Sequence, residues 1–189
     1  MEGTDVKGRR AVFLDRDGTM IEDVGYLNRE ADIRILPGVP EALRRLREAG
    51  FLLIVVTNQS AVARGWLTEE RLRAIHLALN AALHRKGAGV DAFYYCPHLP
   101  EGEVERYAGP CACRKPASGM LRQAADEWGI ALERSYAVGD SERDVEAGRR
   151  VGCHAILLRE EAQDNADDQA AGLPEAADLI LNREERVGG

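Results

Sequence analysis

Short apolar runs that alternate with stretches of helical periodicity limit what this chain can fold into more than any other feature of its sequence. Ala11–Leu14, Phe51–Val56, Ala92–Tyr95, Tyr136–Val138 and Ala155–Leu158 read as strands, with a shorter one near Leu179–Leu181. Such runs are buried on both faces in a parallel sheet covered by helices, so the expected fold class is α/β with a central parallel sheet. Between the runs, Val39, Ala42, Leu43, Leu46 and Ala49 recur at helical spacing, opened by Pro37-Gly38 and stopped by Gly50. Leu72, Ile75, Leu79, Ala82 and Leu83 make a second amphipathic helix, started by Thr68 with Glu69 and Glu70 set against its N-terminal dipole. His76 and His84 lie in that helix as solvated or packed positions without a metal-spaced partner. Met120, Leu121, Ala124, Ala125 and Trp128 make a third, ended by Gly129. With 189 residues and neither repeat nor linker, the chain reads as one domain spanning 1–189.

Composition narrows the function. The longest apolar run, Phe51–Val56, falls far short of the ~20 residues that cross a bilayer, and residues 1–10 lack the apolar stretch of a secretory signal. The expectation is a cytoplasmic protein with no membrane contact. The formal charge of −7 is concentrated in residues 160–178, which hold seven acids and no base and read as an acidic surface segment. Elsewhere acids and bases balance, leaving no basic stripe to follow a nucleic-acid backbone.

Polar residues gather where the strands end. Val12-Phe13-Leu14 runs directly into Asp15-Arg16-Asp17-Gly18-Thr19, at the carboxyl end of a strand, where open α/β sheets place their ligands. Two acids there repel each other unless a cation neutralises them, and hard oxygen ligands suit Mg²⁺. The second strand ends in Thr57-Asn58-Gln59-Ser60, donors suited to phosphate oxygens. Arg114-Lys115-Pro116 precedes the third helix, and Tyr136-Ala137-Val138 leads into Gly139-Asp140-Ser141-Glu142-Arg143-Asp144. Asp144 reads equally as a second acid of the site and as the far end of a Ser141-x-x-Asp144 capping box.

Cys96-Pro97-His98 and Cys111-Ala112-Cys113 are two short ligand pairs bracketing a Pro- and Gly-rich loop. Three thiolates and an imidazole suit tetrahedral Zn²⁺ in a closed, structural site, so residues 96–113 read as a zinc-stapled loop. Cys153 reads as a buried structural thiol.

In order along the chain, DRDGT, TNQS, Lys115 and GDSERD resemble the four motifs of the haloacid dehalogenase (HAD) superfamily of aspartate-nucleophile phosphatases. That resemblance implies a Rossmann-like three-layer sandwich. It also implies Asp15 as nucleophile, Asp17 as acid and then base, and Thr57 and Lys115 as stabilisers of the transferring phosphoryl group. Mg²⁺ would be held by Asp15, Asp17 through its backbone carbonyl, and Asp140. The segments after Asp17 and Ser60 are too short for a large cap, so substrate contacts fall to loops: Asp23, Gly25 and Tyr26, then Asn58, Gln59, Ser60 and Arg64, and Arg114 beside the zinc loop.

FLDRDGT, GYL, VVTNQSAVARG, YYCPHLPEG, CACRKPASGM and VGD are similar to one branch, the D-glycero-β-D-manno-heptose 1,7-bisphosphate 7-phosphatases. This implies a small sugar-phosphate substrate, a heptose 7-phosphate hydrolysed on the way to nucleotide-activated heptose and lipopolysaccharide, and a monomeric enzyme. Two departures stand out: Ser141 where the branch often has a substrate-binding Lys, and Ala61-Val62 for Gly-Ile. Histidinol-phosphate hydrolysis is the alternative within the same chemistry, and a non-catalytic, zinc-stapled phosphate-binding module is the alternative from another class.

Overall fold

The computed structural model describes residues 8–159 and 169–188. Six strands form one sheet: β1 (Ala11–Leu14), β2 (Leu52–Asn58), β3 (Ala92–Cys96), β4 (Tyr136–Gly139), β5 (His154–Leu158) and β6 (Gln169–Ala170). Their order is β3-β2-β1-β4-β5-β6, and every pairing is parallel. Phe13 lies opposite Ile54 on one side and Ala137 on the other, so β1 is central and the strand order reverses at its edge with β4. A crevice opens at such a switch point, beyond the carboxyl ends of the strands.

The period-2 alternation of β1 divides the core. Val12 and Leu14 pack with α1 (Val39–Glu48), α2 (Glu69–His84) and α5 (Leu173–Gly188), whereas Ala11 and Phe13 face α3 (Gly119–Trp128) and Ala147 of α4 (Glu142–Arg149). The result is the expected three-layer α/β sandwich. Local chemistry sets the helix ends as the sequence implies: Thr68 Oγ1 accepts the Arg71 N–H at 3.1 Å, and Gly129 closes α3 at φ 64°. Between β1 and α1 the only helical piece is a 3-10 turn at Glu30–Asp32, and a short turn region joins β2 to α2, so no large cap is inserted at either place. None of the helices among the described residues is long and apolar enough to cross a membrane.

Two expectations need correction. Leu179–Leu181 is not a strand; it lies within α5, and the last strand is β6. The apolar triplet looks extended in isolation, but the buried residues Leu173, Ala176, Ala177 and Ile180 fall at spacings of three and four, one face of a helix packed on α1. The acidic segment 160–178 is therefore helical from Leu173, with Asp178 paired to Arg45 at 2.7 Å, while residues 160–168 lie outside the described residues. Further along α5, Glu184 accepts a hydrogen bond from the Tyr136 hydroxyl at 2.9 Å, tying the helix to β4.

Ile180 is fully buried in this seam. Ile180→Ala is expected to cost about 2–5 kcal/mol of unfolding free energy in urea titration. A loss below ~0.5 kcal/mol would mean that α5 is not docked as described.

Candidate active site

The strand ends deliver their polar residues to one cleft of about 350 Å³, lined by Asp15, Asp17, Thr57, Lys115 and Asp140, among others. At its floor, Lys115 is 3% exposed and its Nζ donates to Asp15 Oδ1 at 2.8 Å and to the Val56 carbonyl at 2.6 Å, with Asp144 Oδ1 at 2.7 Å. Burial alone would push this ammonium toward neutrality, but the two carboxylates outweigh it and raise its pKa, so it stays charged. Asn58 holds the lysine backbone in place: its Oδ1 accepts the Lys115 N–H at 3.0 Å and its Nδ2 donates to the Lys115 carbonyl at 3.1 Å.

Carboxylate oxygens of Asp15, Asp140 and Asp144 lie within 4.8 Å of one another. Burial, then repulsion from Asp15 and Asp144, pushes Asp140 up to about 6. Three carboxylates with one ammonium between them make a hard-oxygen cluster short of positive charge, which is the donor set a Mg²⁺ fits. Asp144 turns out to combine its two readings, since Oδ2 accepts the Ser141 N–H at 3.0 Å, capping α4, while Oδ1 faces Lys115. Gly18 and Gly139 permit the crowding. A Cβ on Gly18, whose φ is +76°, would sit 2.1 Å from Asp140 Oδ2, and one on Gly139 would sit 2.4 Å from the Asp144 Cβ.

The Asp17 carboxylate is turned away from that cluster. Arg16 Nε donates to its Oδ1 at 3.1 Å and Nη2 to its Oδ2 at 2.8 Å, and Gln59 Nε2 adds a third bond at 3.0 Å. Burial still holds the Asp17 pKa above the ordinary carboxylate value, against the pull of Arg16. A carboxyl so poised suits proton transfer. Gln59 Nε2 also donates to Thr57 Oγ1 at 2.8 Å, so the second-strand tip is a connected donor array.

Sulfur and nitrogen gather a short way along the chain. Cys96 Sγ lies 3.7 Å from His98 Nδ1 and 3.6 Å from Cys111 Sγ; Cys113 Sγ lies 2.9, 3.3 and 3.5 Å from Cys96, His98 and Cys111. A tetrahedron with Zn–S bonds of about 2.3 Å has edges near 3.8 Å, so all but the shortest spacing fit a Zn²⁺ at the centre. The loop reaches the cleft twice. Arg114 Nη1 donates to the His98 carbonyl at 3.1 Å, and the Val104 N–H donates to the Ala63 carbonyl at 2.8 Å, beside Arg64.

All of Asp23, Gly25, Tyr26, Asn58, Gln59, Ser60, Arg64 and Arg114 line the cleft, as the sequence implies. Sequence reasoning missed three features. Arg143 and Leu99 also line it, Arg143 bringing a further cation. Half-exposed Trp66 stands edge-on to Tyr26 at 4.7 Å and 5.2 Å from the Arg64 guanidinium, packing against two residues of the lining. GDSERD contained Arg143 in plain view; nothing in the sequence marked Trp66.

Of the two readings left open for His76, solvated or packed, the structure shows the packed one: it is 4% exposed and stacked on Phe93 at 4.6 Å, with Tyr95 edge-on at 5.8 Å. Burial, and then the charge of Arg16, pushes its pKa down to about 3.

The comparisons agree with this geometry at two levels. A family model described as HAD-hydrolase-like matches residues 112–183, and a crystal structure described as a putative HAD-like phosphatase from Mesorhizobium loti superposes at TM-score 0.84 with 32% identity, over 94% of this chain and 87% of that one. Fold and site thus define a HAD-like hydrolase. The curated D-glycero-β-D-manno-heptose-1,7-bisphosphate 7-phosphatase of Yersinia pestis is 40% identical over 173 residues, covering 91% of this chain and 89% of that protein. The D-glycero-D-manno-heptose-1,7-bisphosphate 7-phosphatase of Thermosynechococcus vestitus is 43% identical over 155 residues, 80% of this chain and 79% of its own. A D,D-heptose 1,7-bisphosphate phosphatase from B. bronchiseptica, complexed with magnesium and phosphate, superposes at TM-score 0.79 with 32% identity over 92% of this chain and 99% of that one. The chain belongs to the D-glycero-D-manno-heptose 1,7-bisphosphate 7-phosphatase family.

Two outcomes test the site. Cys111→Ser is expected to lower zinc content by elemental analysis and to lower the melting temperature; unchanged metal would rule out the cluster as a zinc site. His76 is neutral when folded and protonates below its ordinary value of about 6.5 when unfolded, so its share of stability is complete above that pH and is lost as pH falls from 6.5 toward 3. Relative to His76→Phe, the wild-type unfolding free energy should fall by up to about 1.4 kcal/mol per pH unit in that window; parallel curves would contradict a buried neutral imidazole.

Proposed function

We propose that this chain is a Mg²⁺-dependent cytoplasmic phosphatase that removes the 7-phosphate of a D-glycero-D-manno-heptose 1,7-bisphosphate, with a structural Zn²⁺ stapling the loop 96–113 within a single catalytic unit. One observation carries the reading: the cleft that holds Asp15, Asp17 and Lys115 is lined by three arginines as well, Arg64, Arg114 and Arg143, so one cleft offers reacting carboxylates together with cations for a second anionic group. A bisphosphate fits both. A cationic substrate such as histidinol phosphate gains nothing from three arginines, and a binding module has no use for a buried acid poised beside a nucleophilic carboxylate.

Asp15, held through Oδ1 by Lys115, attacks the phosphorus in line; the new bond forms from an Asp15 oxygen as the bond to the sugar oxygen breaks. Asp17, protonated, gives its proton to the departing alkoxide. Water then attacks the aspartyl phosphate, Asp17 takes a proton back, and phosphate and free Asp15 result. Lys115 and Thr57 place positive charge and a hydroxyl against the phosphoryl oxygens throughout. A bound Mg²⁺, held by Asp15, Asp140 and the Asp17 carbonyl, supplies further neutralisation of those oxygens. The free thiols of the loop suit a reducing compartment, where they remain available as ligands.

Asp15→Asn is expected to abolish phosphate release while leaving the melting temperature within a few degrees; retained turnover would remove Asp15 as nucleophile. For substrate, kcat/KM is measured on the α and β heptose 1,7-bisphosphates, histidinol phosphate and fructose 1,6-bisphosphate. Heptose is expected to lead by ~10-fold or more, and a lead for histidinol phosphate would overturn the substrate assignment while keeping the chemistry.

A further inference from the structure

Arg16 is the largest fully buried side chain among the described residues and lies between the catalytic carboxylate and a helix that otherwise contributes nothing to the cleft. Its guanidinium makes four polar contacts in one plane. Nε and Nη2 hold the two oxygens of Asp17, Nη2 also donates to Gln59 Oε1 at 3.1 Å, and Nη1 meets His76 Nε2 at 3.2 Å. A guanidinium has donors and no acceptor, so His76 Nε2 must be the unprotonated, accepting nitrogen. The imidazole is itself fixed, clamped between Phe93 and Tyr95 of the edge strand β3 and carried on α2. Both members are nearly inaccessible to water, so no solvent molecule readily replaces the acceptor if it is removed.

We propose that His76 is a positioning residue for the proton-transfer step: by accepting from Arg16 Nη1 it fixes the guanidinium plane that aims the Asp17 carboxylate. The inference rests on Asp17 serving as the acid. Without the acceptor, Arg16 carries a buried N–H with no partner, which is costly enough to make it swing toward another one. Any rotation about its terminal bonds moves Nε and Nη2 together, so the fork on Asp17 and the bond to Gln59 are lost as a unit. The effect falls first on proton delivery: Asp17 is bonded to Arg16 directly, Thr57 is reached only at one remove through Gln59, and the polar contacts of Lys115 and Arg114 lie outside this chain.

Leaving-group dependence separates this role from a general weakening of the fold. An alkyl phosphate needs a proton on its departing oxygen, whereas p-nitrophenyl phosphate, with a far less basic leaving group, barely does, and kcat/KM reports the steps through formation of the aspartyl phosphate. His76→Phe keeps the aromatic stacking and deletes the acceptor. It is expected to lower kcat/KM for the heptose bisphosphate by about 10-fold or more and for p-nitrophenyl phosphate by less than about threefold, with the loss in kcat rather than KM. His76→Gln, whose amide oxygen can accept from Arg16, should regain most of the lost activity. Arg16→Lys, which keeps the charge but not the fork, should show the same selectivity as His76→Phe and decides the question should the Phe variant not fold. Equal losses on both substrates, or no loss on either, overturn the proposal. Asp17→Asn is the reference: a selective loss there that His76→Phe lacks refutes the positioning role alone, and an equal loss in Asp17→Asn refutes the acid role and the positioning role with it.

Discussion

The ammonium of Lys115 holds the site together. It is buried, and a buried charge is tolerated only when paired and hydrogen-bonded, which here takes Asp15 from the end of β1, Asp144 from the first turn of α4 and the Val56 carbonyl of β2. Three elements are thereby tied to one atom. The arrangement is reciprocal, because without the lysine two buried carboxylates would face each other with Asp140 close by. The position of Asp15, the helix cap and the lysine's charge are one electrostatic solution, and Asn58 secures it by bonding both backbone groups of Lys115.

Around that centre the chain builds two supports of different kinds. On one side, Asp17 is held by an entirely polar buried network running through Arg16 and Gln59 to Thr57 and His76. On the other, the cleft is bordered by loops. The Cys/His cluster closes residues 96–113 on themselves, and the closed loop then reaches Arg114 through the His98 carbonyl and the turn bearing Arg64 through Val104. Two arginines of the cleft are thus coupled to the Cys/His cluster outside it.

Legibility followed the range of the forces involved. Asp15, Thr57, Lys115 and Asp140 could be read because each stands at the end of an apolar run or the mouth of a helix, and parallel topology sends such ends to one edge. The cysteine pairs could be read because a metal site needs few ligands at short spacing. The Leu179–Leu181 run misled because a three-residue apolar stretch carries no period of its own; only its docking on α1, through Ala176, Ala177 and Ile180, makes it helical. Leu99 and Arg143 escaped notice because lining a cleft depends on how loops close over it, and Trp66 because its contacts with Tyr26 and Arg64 join separate loops. The sequence left His76 as a solvated or packed helix position and did not show its partner, since Arg16 lies sixty positions away.

By itself, then, the sequence determined a parallel α/β sheet, the polar residues placed at its carboxyl edge, and the Cys/His cluster of residues 96–113, since periodicity, strand ends and residue spacing are local properties of a chain. Tertiary structure alone decided which carboxylate faces the lysine and which the arginine, that Asp144 serves both the α4 cap and the site, that the end of the chain is a helix, and that three arginines share one cleft. Those outcomes turn on desolvation and on distances of a few ångströms between residues far apart in the chain, quantities that exist only once the core has closed.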